Sequence, residues 1–374
     1  MLAGGTILAL LDDDQRKPLK RAVQHGATTR SRIGVTVRLL AAISLCGAAA
    51  CVRTRTKIIV PLTATATESM PVATEPETAR REAEGPTALR MHGVDLRIAP
   101  GVVLHVRQLE GEIVSLTPGQ PVILEDKRAY VIRIGTADAG LTVADLSRVL
   151  NRNVFAYEKT PLTDLEVSAA GNKLRLRGTL HKGGDVPVEI VGDVSATAEG
   201  EVRMRPTSIR VARIPAGPVL RLVGLKLDKL VSLRGARGAR LKGNDIFLQP
   251  DSILPPPRIH GHVTHARVEG NELRLTFAEP SGKAIAPIAD AADAPPDTSG
   301  NYLYFRKGTL RIGKLFMVHA DLEIMDENPA DPFDFSADDF PKQLVAGYVK
   351  NTAVQGLIVH APDMKRLEAP APER

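Results

Sequence analysis

Three groups of residues in this chain have the types and spacing to do chemistry. His260, His262 and His265 form H-x-H-x-x-H, a set of nitrogen donors of the kind zinc accepts. Side chains alternate along a strand, so His260 and His262 face one way and His265 the other, and three-fold ligation would need a bulge. The pattern reads as surface or edge histidines, with no metal expected. Asp326, Asn328, Asp331 and Asp334 offer oxygen donors for calcium, but the Gly and terminal Glu of a helix-loop-helix site are missing, and a solvated acidic turn is expected. The run Arg234-Gly235-Ala236-Arg237-Gly238-Ala239-Arg240-Leu241-Lys242 mixes glycine and cation without the Gly-Lys-Ser/Thr ending of a phosphate loop. The run reads as an ordinary basic turn or, alternatively, as one whose Arg234, Arg237 and Arg240 meet the phosphate of a lipid headgroup. The body lacks G-x-S-x-G, H-E-x-x-H and any Cys/His pair, so no catalytic residue and no cofactor are expected, and the chain reads as non-enzymatic.

The cysteines tell a different story. Arg38–Ala50 is a basic residue followed by a short apolar run ending in small side chains, too short to span a bilayer and the right length for a signal-peptide core. With Ala48-Ala49-Ala50-Cys51 in the lipobox position it resembles a bacterial lipoprotein signal, although Ala48 stands where Leu is usual. Cleavage before Cys51 leaves an N-terminal cysteine to carry acyl chains. The polar, basic stretch Met1–Thr36 is more than such a signal needs, which places the expected start near Val35 or Val37. Cys46 and Cys51 are the chain's two cysteines, so the mature body has no thiol for a disulfide or a metal. Val52–Pro86 is rich in Thr, Ala, Pro and Glu and lacks periodicity, the composition of a tether.

A chain of 374 residues, 43% hydrophobic and 25% charged, has ample material for a core. Aromatics are only 3% and Trp is absent, which leaves no supply of stacking platforms for single-stranded nucleic acid. The net charge of +6 suits anionic lipid headgroups better than nucleic acid on that account. From Leu89 the pattern becomes regular. Val94–Ile98, Val102–Leu109, Glu112–Leu116, Val122–Leu124 and Ala129–Ile134 alternate between Pro-Gly turns and read as an antiparallel meander. Thr142 lies three residues before Asp145, and Val143, Leu146, Val149 and Leu150 recur at helical spacing, predicting a short capped helix.

Lys173–His181 places Leu174, Leu176 and Leu180 on one side and Lys173, Arg175 and Arg177 on the other, and Val186–Val194 repeats this grammar. Glu201–Arg205, Asp245–Leu248 and the hairpin His260–Val268 with Glu272–Phe277 extend it. Pro218–Val231 is apolar around most of its circumference and predicts a second helix, one that a curled sheet must enclose. After it come a mobile loop over Ala284–Gly300, strands at Tyr302–Phe305, Thr309–Ile312 and Leu315–Ile324, and the acidic turn Asp326–Asp339. In that turn Phe333, Phe335 and Phe340 are expected to pack while the acids stay wet. A helical turn over Lys342–Lys350, a last strand at Gly356–His360 and a disordered tail from Ala361 complete the chain.

This order of meander, short helix, alternating strands, apolar helix with Leu-Asp-Lys-Leu-Val at Leu227–Val231 and closing hairpin Gly270–Leu275 resembles the bacterial LmeA-like phospholipid-binding group, relatives of the tubular lipid-binding superfamily. The resemblance covers Leu89–Phe277. It implies an envelope protein that holds acyl chains between a curved sheet and a helix; the group has no catalytic signature from which residue roles could be carried over. The expected fold is α+β, a long curved antiparallel sheet wrapped around one or two amphipathic helices, TULIP-like. The expected organisation is an export segment over 1–51, a tether over 52–88, a lipid-binding body over 89–280, a loop over 281–300, a C-terminal strand block over 301–361 packed on the body, and a tail over 362–374. Leu146, Leu150, Val219, Leu222, Val223 and Leu227 are the expected groove lining, the partner is a phospholipid or other lipid, and Cys51 is the anchor to a membrane on the periplasmic side of the envelope. Two alternatives stand beside this reading: an envelope scaffold with a fully packed core, and a hydrolase of envelope polymers drawing on the carboxylates of Asp326–Asp339.

Overall fold

A computed structural model describes residues 85–181, 184–211, 220–221, 226–279, 299–351 and 356–369, all within one compact unit. The fold is α+β and dominated by strand, with part of the sheet curled into a half-barrel. The expected single sheet is in fact two.

The first sheet opens with two long strands, β1 (Thr87–Ala99) and β2 (Val102–Ser115), followed by the short β3 (Val122–Ile123) and the long β4 (Tyr130–Thr142). The break expected between Leu109 and Glu112 does not occur. β2 runs through it with a register shift at Glu110/Gly111 against β4. A Cβ on Gly111 would lie 2.2 Å from the Arg133 carbonyl oxygen, so only glycine allows the strands to approach there. β4 leads directly into α1 (Val143–Val149), which continues as a π-helical turn over Leu150–Val154. The second sheet follows as β5 (Leu162–Ala170), β6 (Lys173–His181), β7 (Asp185–Ala196), β8 (Val202–Val211) and β9 (Leu220–Arg221), then α2 (Leu227–Leu230), β10 (Ala239–Lys242) and β11 (Asp245–Leu248). Its spatial order is β10-β11-β8-β7-β6-β5, antiparallel throughout, with β9 on β8.

The chain then returns through α3 (Pro250–Ile253) to the first sheet, adding β12 (Arg258–His260), β13 (Val263–Glu269), β14 (Glu272–Ala278), β15 (Tyr302–Ile312), β16 (Leu315–Asp326) and β17 (Phe333–Ser336). α4 (Phe340–Ala346), β18 (Tyr348–Asn351), β19 (Leu357–Ala361) and α5 (Met364–Glu368) complete it. The order is β13-β14-β4-β2-β1-β15-β16-β19-β18, so the C-terminal block extends the sheet begun by β1. It is mixed where antiparallel was expected: β17 on β1, β12 on β4, β3 on β15 and β19 on β16 are parallel.

Three further expectations need correction. The apolar stretch Pro218–Val231 is not one helix: Leu220–Arg221 pair with β8, and among its described residues the helix is Leu227–Leu230, with Val231 extended. The cause is local. Asn244 Oδ1 accepts the Leu227 backbone N–H at 2.7 Å and Asp228 Oδ2 accepts that of Gly243 at 2.7 Å, stapling a single turn to the β10–β11 hairpin. The acids of Asp326–Asp339 are not uniformly wet, because Asp326 and Asp334 are buried, although the rings of Phe333, Phe335 and Phe340 do pack as expected, 5.5 and 6.0 Å apart in sequence. The segment after Ala361 is not all tail, since Asp363 and Met364 are buried and α5 follows. Residues 280–298, which contain most of the expected loop, lie outside the described residues.

Candidate functional site

α1 packs against β2, β4 and β5, and its placement follows from polar residues on its flank. Thr142 Oγ1 accepts the Asp145 backbone N–H at 3.0 Å, capping the first turn as its spacing predicts. Ser147 Oγ donates to the Val143 carbonyl and accepts the Val167 N–H, both at 2.8 Å. Asn151 donates to the carbonyls of Ser147 and Leu165 and accepts the Leu165 N–H at 2.9 Å. These bonds fasten the helix to β5 and turn its apolar side, Leu146 and Leu150, toward the space between the sheets.

That space is wholly apolar in lining. One hollow, of about 60 Å³, is bordered by Leu146 and Leu150 of α1, the inward residues of β5 to β8, and Leu227, Val231, Leu233, Ala239, Leu241 and Leu248. A second of about 60 Å³ lies against the inner face of the first sheet, bordered by Met91, Leu96, Leu104, Val106, Leu109, Ile132, Ile134 and Leu275 among others. Leu146, Val202, Leu248 and Leu273 border both, so the two are consecutive chambers of one interior. Neither wall offers a polar atom to a water molecule, and such a space stays dry. Leu176, Val194, Val211, Leu233, Leu241 and Ile246 are only half-buried, which marks the outer rim of the first chamber.

The outward faces carry the charge. On the second sheet Glu189 accepts from Arg177 and Arg210, both at 2.9 Å, and the Arg177 hydrogen bond foremost holds its carboxyl below the usual range. On the first sheet Asp138 accepts from Nε and Nη2 of Arg274, which likewise lowers its pKa, and Arg107 reaches Glu272 at 2.6 Å. Apolar in and paired charge out is the two-faced strand read from the sequence.

The residues singled out in the sequence fall unevenly. Leu146, Leu150 and Leu227 line the first chamber. Val219, Leu222, Val223 and the anchor Cys51 lie outside the described residues. Arg234 and Arg237 are exposed on the turn that follows the chamber-lining Leu233, and neither side chain has a partner among the described residues. Arg240 does not stand with them. Its guanidinium is bonded to buried Glu201, with Nε to Oε1 at 3.1 Å, and its plane lies 4.0 Å over the Phe247 ring. Missed as lining were Leu174, Leu176, Leu180, Val188 and Ile190, although their alternation was plain. No local signal marked Val202, Leu248 and Leu273, which with Leu146 are shared by both chambers.

The histidines are dispersed: His260 faces Asp251 at 3.3 Å, His262 lies against Gly200 and His265 bonds Thr264 at 3.3 Å. Among the described residues no cluster of three His, Cys, Asp or Glu side chains is placed to hold a metal ion. The carboxylates of Asp326–Asp339 are engaged in tying the C-terminal elements down. Asp334 takes Arg97 Nε at 2.5 Å and Nη2 at 2.6 Å and accepts the Lys365 N–H at 2.8 Å, while Asp363 accepts the Asp334 N–H at 2.8 Å.

Family models, curated proteins and solved structures all fail to match this chain. The functional reading therefore stands on the interior and its rim.

Proposed function

We propose that this protein is a non-enzymatic carrier or sensor of lipid in the cell envelope, holding acyl chains between its two sheets. The observation that carries the reading is the pair of linked, wholly apolar chambers whose half-buried rim adjoins the unpaired Arg234 and Arg237. Affinity would come from partition, about 0.8 kcal/mol per buried methylene, with the two arginines orienting an anionic headgroup at the mouth. Two sheets, one curled, with an apolar interior and a helix between them support the tubular lipid-binding resemblance. Cys51 as an acylated anchor and the periplasmic side of the envelope as location belong to the same proposal. Among the described residues no helix is long and apolar enough to cross a membrane.

At about 60 Å³ each the chambers are smaller than the ~150 Å³ that accommodates benzene in an engineered core, so a chain-like guest must push rim side chains such as Leu176 and Leu241 aside. That small volume is also the observation favouring a second reading, an envelope scaffold with a closed core. Organic extraction of the purified protein followed by mass spectrometry separates the two. The carrier yields lipid near one equivalent per chain, and Leu176→Trp at the rim reduces it; the scaffold yields none from either.

A further inference from the structure

A second apolar surface lies away from the interior. Phe316 and Val318 alternate on the outer face of β16 and are 55% and 46% exposed; Leu116, in the turn after β2, is 45% exposed. Phe316 and Val318 border a hollow of about 350 Å³ that Gly85, Pro86, Ser115, Thr117 and Thr309 also help to line, and Leu116 is not part of its wall. Large side chains left in water at such density mark a contact surface.

Its rim is cationic. Arg311 pairs across the hairpin with Phe316, Lys314 sits in the connecting turn and Arg128 lies beside Ala129, whose carbonyl accepts the Leu116 N–H at 2.7 Å. All three cations are exposed, and none has a side-chain partner among the described residues. Of the nearby acids, Glu125 accepts the Gly313 N–H and Asp126 the Arg128 N–H; both keep their negative charge, so the three cations leave the rim cationic in balance. The chain also reaches this face from upstream, because Gly85 and Pro86 wall the hollow and the residues after Cys51 lead to them.

We propose that the face formed by Phe316 and Val318 is where the protein lies on an anionic lipid bilayer, its apolar side chains entering the headgroup boundary and Arg311 and Lys314 meeting lipid phosphates. An apolar centre inside a basic rim is what an interfacial contact requires, and Gly85 and Pro86, the first of the described residues, border the same hollow. The proposal does not depend on the chambers holding a guest.

The chain contains no tryptophan, so Phe316→Trp in the full-length protein gives a single tryptophan on this face, excited at a wavelength its five tyrosines do not absorb. Leu367→Trp on α5 serves as the probe elsewhere. On adding vesicles of mixed phosphatidylglycerol and phosphatidylcholine, the Phe316→Trp emission is expected to shift to the blue and to be quenched by brominated acyl chains, while the Leu367→Trp probe is unchanged. Adding Arg311→Gln and Lys314→Gln should lower the partition roughly thirtyfold. An unshifted Phe316→Trp probe on protein that floats with the vesicles overturns the proposal. So does a probe already blue-shifted before vesicles are added, which would assign the face to another part of the chain or to a second copy. Loss of extractable lipid from the interior leaves this readout untouched, so the two proposals fail separately.

Discussion

Leu146 on α1 and Leu248 on β11 stand between the same two apolar chambers, one contributed from each side of the sheet junction. Together with Val202 and Leu273 they form the waist of the interior. Truncating either one joins the chambers. Leu146→Ala, and separately Leu248→Ala, should each destabilise the fold by about 2–5 kcal/mol, read as the shift in urea midpoint at constant m-value. Because both open the same space, the double variant should depart from additivity by about 0.5 kcal/mol or more.

The three arginines of the basic turn separate by partner. Arg234→Ala with Arg237→Ala should leave stability within about 0.5 kcal/mol, since both side chains are exposed and unpaired, while reducing the share of anionic lipid among extracted lipids. Arg240→Ala should instead cost about 1–3 kcal/mol, because it strands the buried Glu201 carboxylate. Equal unfolding midpoints for Arg240→Ala and the double variant would contradict this division.

How much of this was legible depends on the range of the interaction. Alternation over Lys173–His181 and Val186–Val194 and the Thr142 cap are local signals, and the strands and helix they predict form with their faces as read. Pro218–Val231 misled because an apolar run carries no information about which neighbour it meets. There Asn244 and Asp228 hold one turn against a hairpin, and β8 recruits Leu220–Arg221 as strand. The acids near Asp334 misled for the same reason: Arg97, their partner, is 237 residues away in sequence. Arg234 and Arg237 stay free while Arg240 is taken, a distinction that composition alone does not draw.

Two groups set opposite halves of a pH dependence. Burial pushes the Asp326 carboxyl up to about 6, and the Asp95 hydrogen bond foremost raises the His105 imidazole above its ordinary value. A carboxyl that binds its proton more tightly when folded loses stability as pH rises from about 4 to about 6. A histidine with a raised folded pKa contributes stability below about 6.5 and loses it as pH climbs through the folded value. Urea midpoints measured against pH should therefore flatten in the lower window for Asp326→Asn and in the upper one for His105→Gln. Profiles that superimpose on the parent would refute the assignment.

Anchoring has its own test in cell fractionation. Cys51→Ser should abolish a covalent acyl mass and weaken retention in the membrane fraction, so that high salt releases the remainder, with the unfolding midpoint of the body unchanged. Retention of an acyl mass in that variant would contradict the anchor.

Native mass spectrometry of the purified Cys51→Ser chain tests the central claim most directly, because no covalent lipid then obscures a bound one. The account predicts a species heavier by one lipid, which dissociates on collisional activation and declines with Leu176→Trp. The bare chain mass alone, both as isolated and after incubation with phospholipid vesicles, would contradict it.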